Sequence, residues 1–334
     1  MREINELLKL DFNVTNLCNF RCFHCCFKSG IRLMKEFSFE KITSILEEFV
    51  SLGGKRIDIT GGECLMRSDL NKIAAFAKQL GIKVEIVTNA SLVTQEHLDF
   101  WKSIAIDSVA ISLDGHTSEI YNHVRNQNEE TFFKVLGIIK KSSEMGFYTK
   151  VNTVVFTRNL FAATKITKLA IDLGAHEHGF YYFSPVGSGV ERKDEVADPI
   201  EWLNIIRTKL YNFKDSIKLS LEVPIIEASL AKKLNIGCFI KDPWHLQILP
   251  NGNVYPCAIM SAYDRPIGNI HESSLEKIWK NSSLRNGEYY NKNILPLMEQ
   301  FHGCVNYESF SHLVKSGEYN FVCLCTKFKI DELI

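Results

Sequence analysis

Three cysteines crowd one short stretch near the N-terminus, Cys18-Asn-Phe-Arg-Cys22-Phe-His-Cys25. Three thiolates in one loop can hold three corners of an iron–sulfur cubane. The fourth iron then has no protein ligand and can bind and activate a substrate. A structural zinc ion wants a fourth ligand, which His24 or Cys26 could give, so spacing alone leaves that alternative open. Further on, Ile59-Thr60-Gly61-Gly62-Glu63 places two glycines and a carboxylate together. Such glycines permit close backbone approach to a ligand, and Glu63 can accept from an amine. Five more cysteines come late: Cys238, Cys257, Cys304, Cys323 and Cys325. Between the first two, Ile248-Leu249, a Pro-Asn-Gly-Asn turn and Val254-Tyr255 read as a short hairpin that can bring Cys238 and Cys257 together.

The elements that must position these residues alternate. Lys9–Val14, Arg56–Thr60, Val84–Thr88, Ser108–Leu113, Lys150–Phe156 and His178–Phe183 read as strands. Between them run helices: Phe39–Leu52 capped by Ser38, one capped by Ser68 and ending at Gly81, a short one capped by Thr94, then Glu129–Met145 and Ala162–Leu173. Six βα units with short loops predict a parallel sheet with helices outside. Periodicity does not say whether that sheet is open or curls into a barrel. The first cysteine loop follows the first strand directly, at the strand edge where parallel α/β folds bind ligands. After Ser184-Pro185-Val186-Gly187 the rhythm breaks. The expected organisation is therefore residues 1–187 as the α/β unit, 188–237 as a helical connector with a helix around Pro199–Lys214, and 238–334 as a smaller cysteine-bearing module.

Cys18, Cys22 and Cys25 together with Gly61-Gly62-Glu63 resemble the radical S-adenosylmethionine (SAM) superfamily. The C-x13-G-x4-C pattern from Cys238 to Cys257 resembles the SPASM/twitch extension of that family, as does Ile267–Trp279 after it. The likeness spans residues 8–328. It implies a partial (β/α)6 TIM-type barrel with a small C-terminal twitch-like iron–sulfur module. It also implies a [4Fe–4S] cluster whose unique iron chelates SAM, and reductive cleavage of SAM to methionine and a 5′-deoxyadenosyl radical that takes hydrogen from substrate. By the same resemblance Asn89, Ser112, Asp114 and Asn152 belong to the SAM site, the last three as candidates for the ribose hydroxyls. Arg125 is the candidate for the methionine carboxylate, which its planar fork suits. Position 24, often aromatic in the family, is His24, still planar enough to lie against the adenine. The residue after Gly-Gly-Glu, often proline, is Cys64. Five late cysteines suffice for one auxiliary cluster, expected on Cys238, Cys257, Cys323 and Cys325 with Cys304 as substitute. Cys26 and Cys64 are expected near the SAM site, as hydrogen donors or packing residues.

Composition excludes several classes. Formal net charge is zero and no Lys/Arg run stands out, against a nucleic-acid binder. No apolar stretch approaches the roughly 18–20 residues of a membrane span, and no signal peptide is visible. Ten cysteines in a 334-residue chain without a secretion signal point to metal binding in a reducing cytoplasm rather than to disulfides. The first functional expectation is modification of a ribosomally made peptide by crosslinking, thioether formation or epimerisation. With few residues before the first strand, that substrate is expected at the barrel mouth or on a separate protein. The alternative is a dehydrogenase or epimerase of a small metabolite such as an aminoglycoside precursor. A third reading, from another class, is a non-catalytic metal-binding protein. Flavodoxin or ferredoxin is the electron donor the resemblance implies.

Overall fold

The computed structural model describes residues 6–30, 36–234, 240, 243–281, 287–296, 310–322 and 326–334. Alternation builds the sheet. In the first strand, β1 (Lys9–Asn13), Leu10 and Phe12 are fully buried while Lys9 and Asp11 point to the opposite face. The chain then runs α1 (Phe39–Ser51), β2 (Arg56–Thr60), α2 (Leu70–Gln79), β3 (Lys83–Thr88), α3 (Gln95–Ser103), β4 (Ser108–Ser112), α4 (Ser118–Arg125), α5 (Glu129–Glu144), β5 (Tyr148–Val155), α6 (Ala163–Asp172) and β6 (Glu177–Tyr182). All neighbouring pairs from β1 to β6 are parallel. The order β1-β2-β3-β4-β5-β6 agrees with the six βα units read from the sequence.

The helices form where the sequence supplies both a cap and a stripe. Ser38 accepts from Lys41 N–H at 3.2 Å, and Ile42, Ile45, Leu46 and Phe49 of α1 are buried on the outer face of the sheet. Burying each such side chain stabilises by about 1.5–3 kcal/mol. Gly53, at φ +93°, takes the left-handed turn that ends α1. The start of α2 differs from expectation. Its cap position is Asp69 rather than Ser68, and Asp69 makes no capping bond, because Arg67 binds its carboxylate at 2.6 and 2.9 Å.

The residues expected as a helical connector do more than connect. They hold α7 (Pro199–Thr208), β7 (Lys218–Leu221), β8 (Ile225–Glu227) and α8 (Ala228–Lys233). β7 pairs parallel with β6 as a seventh strand. Four residues, Lys-Leu-Ser-Leu, are too few for periodicity to declare a strand, but Leu219 and Leu221 are buried. The expected hairpin forms as β9 (His245–Ile248) and β10 (Asn253–Tyr255). It is followed by α9 (Ala258–Ala262), β11 (Gly268–Asn269), α10 (Leu275–Trp279), β12 (Tyr319–Phe321) and β13 (Phe328–Lys329). β9 joins β1 in parallel register, Leu10 opposite Leu246, so the hairpin extends the same sheet. β13 closes the other edge on β7, and β12 pairs with β8 apart from it.

The sheet curls. Laid flat, β1 and β6 would stand about 24 Å apart at ~4.8 Å per strand. Yet Asp58 of β2 and Asp11 of β1 both lie within electrostatic reach of Tyr181 on β6. The enclosed inner face is charged. Lys9 bridges Asp11 and Asp58 (both 2.7 Å), Arg56 bridges Asp58 (2.8 Å) and Glu85 (2.9 Å), and Lys150 reaches Glu85 (2.7 Å). Among the described residues no helix is long and apolar enough to cross a membrane.

Candidate functional site

The cysteine loop leaves the C-terminal end of β1 and lies directly on the end of β2. Val14 N–H donates to Thr60 O (2.9 Å), Gly62 N–H to Thr15 O (2.8 Å) and Glu63 N–H to Leu17 O (2.7 Å). A Cβ on Gly61 would stand 2.7 Å from Thr15 O, and one on Gly62 would overlap Leu17 O. The two glycines thus admit the backbone of the cysteine loop itself, and Gly62 also faces the cavity. Arg21 folds back within the loop. Its guanidinium donates to the carbonyls of Cys18 (2.6 Å), Phe20 (2.8 Å) and Gly30 (3.1 Å), which gathers the start and end of the loop.

The three thiols line a cavity of about 190 Å³. Each sulfur has a donor beside it: Phe20 N–H at 3.4 Å from Cys18 Sγ, Ser29 N–H at 3.4 Å from Cys25 Sγ, and Arg125 Nη1 at 3.9 Å from Cys22 Sγ. Burial pushes the Cys22 thiol up to about 11 against the pull of Arg125, and it raises Cys18 as well. Occupation by a metal would have to displace those protons. His24 and Ser29 also line the cavity, and His24 Nδ1 and Ser29 Oγ are buried with no partner among the described residues. Burial lowers His24 to about 4, so its ring is neutral. Three soft sulfur donors, flanking N–H groups and two orphaned polar atoms around one space fit a thiolate-held cluster with an organic ligand beside it. The described residues contain no group of three or more His, Cys, Asp or Glu arranged to hold one metal ion.

The other expected site residues separate into two sets. Asn89, Ser112 and Arg125 line the cavity. Asn152 stands opposite Ser112 in register, outside the lining, with its Oδ1 3.0 Å from where a Cβ on Gly179 would sit. Asp114, expected against the ribose, instead holds Arg125. It is fully buried, and its two oxygens accept from Arg125 Nε (2.6 Å) and Val154 N–H (2.8 Å). Glu63, expected to accept from an amine, is turned into the protein. It accepts from Thr88 Oγ1 (2.7 Å), Asn89 N–H (2.7 Å) and Leu65 N–H (3.2 Å), and burial pushes it up. The Asn89 side chain is also engaged, donating to Asn19 Oδ1 (3.0 Å) and accepting from Ser91 Oγ (2.6 Å). Cys26 lines the cavity, whereas Cys64 is packed in the core with its thiol toward Val87 O (3.4 Å). Cys257 is buried just before α9. Cys238, Cys304, Cys323 and Cys325 lie outside the described residues.

Sequence reasoning missed the segment after β6. Ser188 N–H donates to Cys25 O (2.9 Å), and Gly187, at φ +59°, lies so close to the Cys25 and Cys26 carbonyls that a Cβ would overlap them. Arg192 stacks over Phe23 at 5.5 Å. Glu195 pins the segment, reaching His123 Nε2 at 3.3 Å and Arg158 Nε at 3.2 Å. The Pro-Val-Gly-Ser-Gly run at 185–189 carried the turn signal, but nothing local showed what it would cover.

Comparison with known proteins agrees with this geometry. Residues 12–160 match the family model described as the radical SAM superfamily, and residues 238–305 match an iron–sulfur cluster-binding domain, SPASM. A relative in Methanosarcina barkeri, an AdoMet-dependent heme synthase, is 26% identical over 82% of this chain and 82% of its own. The antilisterial bacteriocin subtilosin biosynthesis protein AlbA of Bacillus subtilis is 25% identical over 98% of this chain and 72% of its own. Among solved structures, Streptococcus suis SuiB bound to precursor peptide SuiA superposes with a TM-score of 0.70 at 17% identity, covering 85% of this chain and 67% of that one. That likeness establishes the partial-barrel fold.

Proposed function

Because the chain belongs to the radical SAM superfamily and ends in a SPASM-type iron–sulfur segment, we propose that it modifies a ribosomally made peptide. Bound at the cavity, a [4Fe–4S] cluster with SAM supplies reductive cleavage of SAM and a 5′-deoxyadenosyl radical for hydrogen abstraction. Cys18, Cys22 and Cys25 are the residues to hold that cluster. Arg125, oriented by Asp114, presents its guanidinium to a carboxylate in the cavity. His24 Nδ1, Ser29 Oγ and Ser112 Oγ offer hydrogen bonds to the rest of the ligand, and the 187–196 segment covers the outer side of the loop against water. We assign residues 1–187 to the barrel, 188–237 to a connector that adds β7 to the barrel sheet, and 238–334 to the auxiliary-cluster module. Cys238 and Cys257, with two of Cys304, Cys323 and Cys325, are the proposed auxiliary ligands. Flavodoxin or ferredoxin is the proposed electron donor.

One observation carries the peptide reading. The cavity does not stand alone: a second of about 320 Å³ shares Cys26 and Phe27 with it, and a third of about 320 Å³ shares Phe27, Lys28 and Leu249 with the second. Three cavities in series suit an extended chain better than a compact metabolite. AlbA, similar over almost the whole chain, is named for the biosynthesis of a bacteriocin, subtilosin. The small-metabolite reading keeps the heme synthase likeness as its support.

Anaerobic incubation of reconstituted protein with SAM, dithionite and peptides encoded by short reading frames beside the gene decides between them. A loss of two mass units marks dehydrogenation or crosslinking. Unchanged mass with deuterium uptake from solvent marks epimerisation. SAM cleavage that leaves every peptide unaltered, with a small metabolite converted instead, would overturn the peptide reading.

A further inference from the structure

The two outer cavities form a groove between three parts of the chain. One wall is Phe27 and Lys28, another is Pro185 to Val190, and the third comes from the hairpin turn at Leu249–Asn251 and from Tyr263 after α9. The lining is apolar or neutral apart from one residue: Lys28 is the single charged side chain among the described residues that line either cavity, and it lines both. Lys28 is exposed and no ion pair joins it to a carboxylate among the described residues. Other cations near the barrel axis are neutralised, Lys9 by Asp11 and Asp58 and Lys150 by Glu85. Lys28 also sits at φ +50°, a left-handed conformation that favours glycine, so its side chain is carried there at a conformational cost.

We propose that Lys28 is a specificity residue that binds a carboxylate of the substrate. The peptide segment entering the groove is thereby an acidic group flanked by apolar residues. The inference rests on the peptide reading above and names the chemistry of the segment that reading requires. An ammonium on an otherwise uncharged wall attracts a carboxylate by a charge-assisted hydrogen bond, while Val186, Val190 and Leu249 accept the neighbouring apolar side chains. The carboxylate has two sources, an acidic side chain or the C-terminus of the peptide.

Three peptides labelled with an uncharged boron-dipyrromethene dye separate these: an apolar pentapeptide amide with one central glutamate, the same amide with glutamine, and the glutamine peptide with a free C-terminal carboxylate. Binding to reconstituted, SAM-loaded protein is followed by fluorescence anisotropy. A side-chain source predicts about tenfold tighter binding of the glutamate amide than of the glutamine amide. A terminal source gives that advantage to the free-acid peptide. In either case Lys28→Gln should erase the preference and Lys28→Arg should keep it. The arginine variant keeps the test decisive if the glutamine variant does not fold, since a preference lost on Lys28→Arg in a folded protein would count against a charge contact. Equal binding of all three peptides, or a preference that survives Lys28→Gln, overturns the inference and leaves the peptide reading standing. Binding of none of them counts against the peptide reading itself and removes the inference with it.

Discussion

The lower and upper halves of the barrel's inner face solve opposite problems. In the lower half, Lys9, Asp11, Arg56, Asp58, Glu85 and Lys150 neutralise one another at 2.7–2.9 Å. In the upper half are three thiols, two glycines that would clash if given a Cβ, and two buried polar atoms with no partner among the described residues. The lower half is complete in itself, while the upper half is complete only around a ligand. Polar groups left unsatisfied on folding cost stability, about 1–3 kcal/mol for each buried neutral one. The upper half bears that cost where chemistry needs an open site, and the lower half holds the strands in register beneath it.

Substitutions in the two halves should therefore fail differently. The largest effect is expected where lower-half logic reaches into the upper half, at Asp114 and Arg125. Asp114→Asn leaves a buried guanidinium without its anion, and should cost about 3–5 kcal/mol in urea unfolding and weaken SAM retention as well. A stability loss without any change in SAM binding would separate the pair from the site. Gly62→Ala comes next. Its Cβ overlaps Leu17 O, so the loop must shift, at about 1–3 kcal/mol, and iron loading should fall with it. Normal iron content in a folded Gly62→Ala protein would show that the loop tolerates displacement.

Asp58 should have the smallest effect at neutral pH. Burial alone would raise its carboxyl, but Lys9 and then Arg56 hold it below the usual range. A depressed folded pKa contributes stability above the unfolded value of about 3.9 and loses it as pH falls through the folded value. Stability should hold between pH 7 and 5 and decline below about 4. Asp58→Asn should cost about 0.5–1.5 kcal/mol at pH 7, since Lys9 keeps Asp11 and Arg56 keeps Glu85, and it should flatten the acid limb. An acid limb unchanged by this substitution would place the acid-sensitive groups elsewhere.

Much of the upper half was legible because its signals are local. Cys18, Cys22 and Cys25 lie within eight residues, and the alternation of β1 and β2 predicted the edge on which their loop would stand. What failed to read was direction. Glu63 and Asp114 have the residue types of ligand contacts, but their partners are Thr88, which ends β3, Asn89 just after it, and Arg125 at the end of α4. A carboxylate's partner is chosen by tertiary packing, which spacing does not encode. The Gly61-Gly62 pair could be seen to need close approach, yet the approaching group, Thr15–Leu17, lies about 45 residues earlier in the chain. β7 escaped for a different reason, since four residues carry less than one full test of period two.

The central claim is that the upper half holds the cluster that cleaves SAM. The most direct test is the Cys18/Cys22/Cys25→Ala variant, reconstituted anaerobically and given SAM and dithionite. It should lose about four irons per chain, the content of one cubane, and form no 5′-deoxyadenosine, while the lower half keeps it folded and the C-terminal cysteines still retain iron and sulfide. Undiminished 5′-deoxyadenosine formation by that variant would contradict the account.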